Sequence, residues 1–315
     1  MGIINIIIMG VVMLKKMTFR RISLSILLLL LAVILYHYPE ELNKDVNDIL
    51  VPKIPIYLVD ENGFVARSMI ENNSIEVIDK IKAVLDNLII GCVKDDKYFR
   101  AVIPEGTKIK DIDLNDGLLK INFSKELLNV AEADEVKMIE AIVYSVTEFK
   151  EVNKVMIFVE QERLAMLPHS KKKLDLYLDR SIGINKVYDI DNISNTQMTT
   201  IYYLAKNDDY YYVPVSFISN SDDDKISIII RNLKTNTLNN SNLLSHLNYQ
   251  VELMNYEINK QDIELNFNSL ILDGGSVKIK EEVKYALAYS LKDSLGANKV
   301  TFLVDSVVVD EYNFF

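Results

Sequence analysis

From Val51 onward, short β-prone apolar runs alternate with longer stretches at helical spacing, and the succession occurs twice. In the first unit, Ile56-Tyr57-Leu58-Val59 and Phe64-Val65-Ala66-Arg67 flank Asp60-Glu61-Asn62-Gly63. Asn-Gly between two such runs predicts a tight hairpin with positive φ at both turn residues. Asn73-Ser74 then offers a helix cap, and Ile75, Ile78, Ile81, Val84, Leu85 and Leu88 recur at helical spacing until Gly91. Ile109, Ile112 and Leu114 lead into Asn115-Asp116-Gly117, and Leu119, Ile121 and Phe123 lead out, predicting a second hairpin. A helix over about 133–149 presents Val136, Ile139, Val143 and Val146 on one face, and the unbroken apolar strand Lys154 to Val159 closes the unit.

The order β-β-α-β-β-α-β predicts an α+β domain, a mixed sheet with two packed helices. The second unit follows the same outline: a hairpin of Ile201 to Leu204 and Tyr210 to Phe217, a helix from Ile226, strands near 251–256 and 263–270, a helix over 280–294 and a closing strand, Val300 to Val304. The correspondence extends to residue identity. Ala141 to Glu160 align without gaps on Ala286 to Asp305, with seven of twenty positions identical, including Tyr144/Tyr289, Asn153/Asn298 and Lys154/Lys299. Ile121-Asn122-Phe123 is echoed by Leu265-Asn266-Phe267. The body is therefore read as two tandem homologous domains, 55–165 and 199–315, joined by a connector, 166–198.

Ahead of them, Ile22 to Tyr38 is a 17-residue run without a charge, preceded by Arg20-Arg21 and followed by Pro39-Glu40-Glu41. That length just spans a bilayer, and the basic flank predicts residues 1–21 in the cytoplasm, an anchor at 22–38, a linker at 39–54 and the rest outside. Met17, directly before Thr18-Phe19-Arg20-Arg21, is the expected natural start; no small-x-small site follows Leu35, so an uncleaved anchor is expected. A net charge of −10 and a pI near 5 argue against nucleic acid, which needs a basic face. Cys92 is the one cysteine and can form no internal disulfide; it is expected to be a half-buried small apolar residue.

Ile103-Pro104-Glu105-Gly106-Thr107, Asp116-Gly117 running into Ile121-Asn122-Phe123-Ser124, the helix Glu140 to Phe149 and the strand at Asn153-Lys154-Val155, all within a duplicated unit behind an apolar N-terminus, resemble the GerMN-domain family of sporulation and spore germination proteins. The connector residues Leu167-Pro168-His169-Ser170, Asp179-Arg180 and Ile184-Asn185 are similar to that family's inter-repeat region, and the likeness covers about 55–309. The resemblance implies a protein on the outer face of the cell membrane of a spore former, with domains akin to ring-building modules. It also implies a part in a channel-type assembly joining mother cell and forespore, in the space between two membranes. Two departures stand out: Val159-Glu160-Gln161 and Val304-Asp305-Ser306 occupy the place of the family's Asp-Gly turn, and no lipid-attachment cysteine is present.

Candidate chemistry is sparse. Asp111-x-Asp113-x-Asn115-Asp116-Gly117 approximates a calcium loop, but its glycine is seventh rather than sixth and position twelve is Asn122, so a hairpin turn is expected. His37, His169 and His246 have no partners at metal-ligand spacing, and no Gly-x-Ser-x-Gly elbow occurs, so no catalytic, metal or cofactor residue is assigned. Tyrosine is the exception. Tyr202, Tyr203, Tyr210, Tyr211 and Tyr212 share one hairpin, and strand alternation must turn some outward if others enter the core, which marks them as a candidate protein-interaction surface as well as packing. The functional expectation is a membrane-anchored structural protein, not an enzyme, whose partners are other envelope or sporulation proteins or further copies of itself. The alternative is a module binding cell-wall glycan or a small germinant in a pocket between the repeats near Arg180 and Asn185.

Overall fold

The computed structural model describes residues 52–92, 97–192, 194–235, 242–274 and 276–314. The first unit runs β1 (Lys53–Asp60), β2 (Val65–Glu71), α1 (Val77–Asn87), β3 (Phe99–Arg100), β4 (Ile109–Asn115), β5 (Leu118–Phe123), α2 (Glu135–Val146), β6 (Lys154–Val159) and β7 (Glu162–Arg163). A connector strand β8 (Val187–Asp189) leads to β9 (Gln197–Lys206), β10 (Tyr210–Ser219), α3 (Lys225–Thr235), β11 (Leu253–Asn259), β12 (Asp262–Phe267), α4 (Glu281–Leu295), β13 (Lys299–Val304) and β14 (Val307–Asn313).

The single sheet expected for each unit is not what forms. Each unit divides: its opening hairpin joins one central sheet, while its later strands make separate sheets in the orders β4-β5-β6-β7 and β11-β12-β13-β14. The reason lies in α2, in which every residue from Met138 to Val146 is buried. A helix apolar on nearly all sides cannot lie on one sheet with its back to water. It packs against β1 and shares one core with Leu119, Ile121 and Phe123 of β5 and Val155 and Ile157 of β6. Each fully buried side chain of this kind contributes about 1.5–3 kcal/mol. In the second unit α4 holds the matching place against β9.

The strand after β6 and β13 was not foreseen. It is reached through tight turns at Glu160-Gln161 (φ 53° and 74°) and Asp305-Ser306 (φ 49° and 66°), so the turn geometry survives without glycine. Left-handed backbone costs a non-glycine residue about 1–2 kcal/mol. Part of that is offset by the Asn of the Ile-Asn-Phe echo: Asn122 Oδ1 accepts from Gln161 N and Asn266 Oδ1 from Ser306 N, both at 3.0 Å. A bulge is likewise shared, between Ile109 and Asp111 in β4 and between Leu253 and Asn255 in β11.

Three local expectations need correcting. At the first hairpin only Gly63 is left-handed; the loop is longer than two residues, and Asp60 Oδ1 accepts from Asn62 N and Phe64 N instead. Helix α1 begins at Val77, after an Asn72 side chain has turned the chain at Ser74, so Ile75 lies outside the helix and is 86% exposed. Cys92 is exposed rather than half-buried. The second hairpin does form a tight turn, with Asp116 and Gly117 both at positive φ.

The two hairpins meet in the central sheet, whose order is β3-β1-β2-β10. Strand β9 lines one edge of β10; β2 meets the opposite edge at Tyr212 and β8 continues it at Phe217 to Ser219. Tyr57 faces Arg67 across the first hairpin, whereas its counterpart Tyr202 faces Pro214, so the second hairpin is longer by two residues. With Arg67 opposite Tyr212, the neighbours Ala66 and Val213 fall opposite one another, and they are counterparts. A pseudo-twofold axis therefore passes through this pair, and the repeats join as an isologous dimer would, within one chain.

Candidate functional site at the joint between the repeats

The most concentrated polar chemistry lies on that axis. The amide of Tyr57 donates to Ser145 Oγ and that of Tyr202 to Ser290 Oγ, each at 2.8 Å, which pins α2 to β1 and α4 to β9 by the same bond. The two phenols then touch: Tyr57 Oη and Tyr202 Oη are 2.8 Å apart. Tyr57 Oη donates to Glu148 Oε1 at 2.8 Å and Tyr202 Oη to Asp293 Oδ2 at 2.7 Å. Glu148 and Asp293 are counterparts in the aligned segments, so the motif Tyr–carboxylate is present in both halves and meets itself at the axis.

Two buried carboxylates this close need cations. Arg180, from the connector, supplies one off the axis. Its Nη2 donates to Glu148 Oε1 at 2.8 Å and to Tyr144 O at 3.1 Å, its Nε to Thr147 Oγ1 at 3.0 Å, and its Nη1 to Asp293. Lys292 Nζ lies 3.0 Å from Glu148 Oε2, and Arg67 Nε 3.9 Å from Glu148 Oε1. Burial alone would raise the Glu148 carboxyl, but Arg180, Lys292 and Arg67 together hold it well below the usual range. Burial, and then the carboxylate each faces, pushes the Tyr57 and Tyr202 phenols well above theirs. Both tyrosines therefore stay protonated donors, and the cluster joins the repeats without offering a titrating acid–base pair near neutral pH.

Asn185 completes the joint. Pro214 has no N–H to give a neighbouring strand. Asn185 Nδ2 donates to Val65 O at 2.8 Å and Pro214 O at 2.7 Å, while its Oδ1 accepts from Val65 N at 2.9 Å, which mends the sheet at the proline. Arg180 and Asn185, near which a pocket was expected, both spend their side-chain polar groups on these bonds. The connector is tied down elsewhere too: the buried Glu135 carboxylate accepts from His169 N and, at 3.0 Å, from Ser170 N.

The five tyrosines of the hairpin do not share one outward face. Tyr202 and Tyr203 are buried; Tyr211 is buried and donates to Asp60 Oδ2 at 2.9 Å, packing edge-on against Phe99 of the first unit. Tyr212 is half-buried against Tyr289 and Tyr285, and Tyr210 is 38% exposed beside His246. Alternation along β10 sends Tyr211 inward and Tyr210 and Tyr212 to the other face, as strand geometry requires. Glu148 and Asp293 escaped the sequence reading as a site, and Arg180 entered it only as the neighbourhood of an expected pocket. The available signal was the acidic position kept at Glu148/Asp293, three residues after the shared Ser145/Ser290.

Among the described residues no group of three or more His, Cys, Asp or Glu is placed to hold a metal ion, and no helix is long and apolar enough to cross a membrane; the anchor expected at 22–38 lies outside them.

A family described as "Germane: Sporulation and spore germination" matches residues 55–165 and again 200–310. The chain belongs to the Germane family. As a Germane protein it is similar to the spore germination protein GerM of Bacillus subtilis (strain 168), with 28% identity over 260 residues that span 79% of this chain and 70% of that one. A solved structure of the tandem GerMN domains of the sporulation protein GerM from Bacillus subtilis superposes with a TM-score of 0.72 at 27% identity, covering 81% of this chain and 92% of that chain. The chain is a sporulation and germination protein of GerM type, built from tandem GerMN domains.

Proposed function

We propose that this protein is a structural component of the spore-forming envelope, anchored in the cell membrane by residues 22–38 with its tandem domains outside the cytoplasm, and that it acts by protein–protein contacts in a channel-type assembly between mother cell and forespore. The observation that carries this reading is the joint. Of the side chains kept in both halves, Ser145 and Ser290 pin helix to strand within each domain, while Tyr57/Tyr202 and Glu148/Asp293 are consumed where the two domains meet. Duplication has thus preserved a rigid two-domain body rather than a reactive centre. A membrane anchor confines such bodies to a surface, which raises their effective concentration and favours lateral association.

The test replaces the chromosomal copy with one in which Ile22 to Tyr38 carries several interspersed Asp and Lys residues, leaving 52–315 intact. Sporulation or germination efficiency should fall to that of a deletion strain, and the protein should leave the membrane fraction. Full activity from a protein found in the cytosol would overturn the proposal. In parallel, light scattering of the purified full chain should show mass rising above one chain with concentration or on adding envelope extract of sporulating cells; a single-chain mass in every condition counts against lateral association.

A further inference from the structure

The outer sheet of repeat two has an open edge with two liabilities that the matching edge of repeat one lacks. Strand β11 has only β12 beside it, as β4 has only β5. Spacing from the shared Ile-Asn-Phe echo makes Lys110, Asp113, Leu114 and Lys120 the counterparts of Met254, Glu257, Ile258 and Glu264.

The first liability is on the outer face. Residues directly opposite in an antiparallel pair share a face, and like charges placed there are destabilising. In repeat one Asp113 stands opposite Lys120, whose Nζ lies 3.5 Å from Asp113 Oδ2. At the same place in repeat two Glu257 stands opposite Glu264. No ion pair joins either glutamate to a described residue. Lys299, within electrostatic reach of Glu264, is paired with Glu311 Oε1 at 2.8 Å instead.

The second is on the inner face. Ile258 stands opposite the buried Ile263 and so belongs to the core side of the sheet, yet it is 49% exposed, and Met254 at the bulge is 61% exposed. Their counterparts are provided for: Leu114 packs against the core, with α1 lying along β4, and Lys110 forms an ion pair with Glu160. Tyr256, between the two exposed residues, already gives its hydroxyl to Asp224 just ahead of α3.

An added strand would remove both liabilities together. It would pair with the free N–H and C=O groups of the edge, and its side chains would alternate between the two faces. Apolar residues would then lie beside Met254 and Ile258, and basic ones beside Glu257 and Glu264. The open edges of a second copy do not offer such a strand. β11 brings Asn255, Glu257 and Asn259 to the outer face and β4 brings Asp111 and Asp113, while Lys110, the one cation on either strand, is paired with Glu160. We propose that β11 docks an extended segment of another protein, in which apolar residues alternate with lysine or arginine, as a fifth strand of the outer sheet of repeat two. This goes beyond the reading above and holds whether or not the chain is anchored or self-associates.

The experiment follows the fluorescence anisotropy of a dye-labelled peptide, VKVKVKV with blocked ends, titrated with the full-length chain in an uncharged detergent against empty micelles. The expected result is saturable binding with a dissociation constant below about 100 μM, and binding at least about tenfold weaker for VEVEVEV and for the unalternated VVVVKKK. Glu257→Lys should weaken VKVKVKV by at least about tenfold and make VEVEVEV the better ligand. Because that change also ends the repulsion with Glu264, the variant should melt no lower than the parent, so lost binding is not lost folding. Ile258→Lys should weaken binding from the other face, and Asp111→Lys on β4 should leave it unchanged. No binding at about 1 mM, equal binding of the three peptides, or affinity unmoved by Glu257→Lys would each overturn the proposal. So would self-association of the parent, without peptide, that Ile258→Lys abolishes, since a second copy would then occupy the edge.

Discussion

Replacing Arg180 by Met removes the one cation that touches both carboxylates at the joint while keeping a flexible side chain of similar reach. Five acceptors lose a donor: Tyr144 O, Thr147 Oγ1, Tyr202 Oη, Asp293 Oδ1 and Glu148 Oε1, the last of which keeps Tyr57 Oη. Glu148 retains Lys292 and the more distant Arg67, but Asp293, with 1% side-chain exposure, is left with the Tyr202 hydroxyl. Breaking a buried pair by deleting one partner costs about 3–5 kcal/mol. Arg180 is itself 15% exposed, so some water can reach the gap and the lower end, about 3 kcal/mol, is expected. For bodies of this size each kcal/mol moves Tm by about 2–4 °C, which predicts a fall of about 6–12 °C at pH 7.5. The pH dependence separates this cause from a packing defect. In the parent, the Glu148 carboxyl is held well below its ordinary range, so its contribution is complete above the unfolded-state pKa of about 4.3 and is lost only as pH falls through the lower folded value. In the variant that depression is smaller, so the Glu148 part of the penalty is full at pH 7.5 and does not grow as the solution is acidified toward pH 5. Thermal melts of both proteins followed by circular dichroism over that range provide the measurement. A Tm within 2 °C of the parent at pH 7.5, or a gap that widens toward pH 5, would refute the reasoning; Arg180→Lys should fall between the two proteins.

Gly117→Ala forces a left-handed residue, φ 78°, to carry a Cβ only 2.4 Å from Asn153 Nδ2, and should cost about 1–3 kcal/mol in a urea melt; a loss below 0.5 kcal/mol contradicts the close approach. Tyr211→Phe deletes a buried donor to Asp60 and should cost about 1.5–3 kcal/mol, so neutrality in the same assay would place Tyr211 outside the joint. Asn122→Ala leaves the Gln161 amide without its acceptor and should cost about 1 kcal/mol, and Asn266→Ala should act in the same direction in repeat two. Cys92 is exposed, so one maleimide per chain should react with the folded protein at the rate of a small model thiol; protection that disappears only in denaturant would contradict its placement.

The order of strands and helices was legible because period and turn chemistry are local. Asp116-Gly117 and Gly91 take the left-handed backbone their residue types favour. The gapless alignment of 141–160 on 286–305 also had a physical cause that is now visible. Ser145 and Ser290 receive strand amides, and the amides of Asn153 and Asn298 return to the carbonyls of Gly117 and Gln261. What stayed hidden is non-local. Nothing near Val65 says that its amide meets Asn185, 120 residues on, or that Arg180 reaches Asp293 across 113 residues. The division of each unit into two sheets was missed because only one face of α2 was read as apolar, when Ala141, Ser145 and Glu140 are buried as well. Small and internally bonded polar residues do not register as core in a hydrophobic pattern. The tyrosine hairpin misled for the complementary reason: aromatic residues are apolar enough to be buried and polar enough to be exposed, and the choice at Tyr203 and Tyr210 depends on what lies across the sheet.

One asymmetry reaches further than the fold. Strands β4 and β11 are the open margins of the two outer sheets and occupy matching positions about the pseudo-axis. They no longer match in character: β4 carries Lys110, Asp111 and Asp113, with Ile112 and Leu114 packed against the core, whereas β11 exposes Met254, Tyr256 and Ile258. A molecule with two like ends can pair only with its mirror role; one with a salted end and a greasy end has a front and a back. Any row built through these margins would inherit that polarity, so the divergence of the second copy turns a self-matching module into a directional brick.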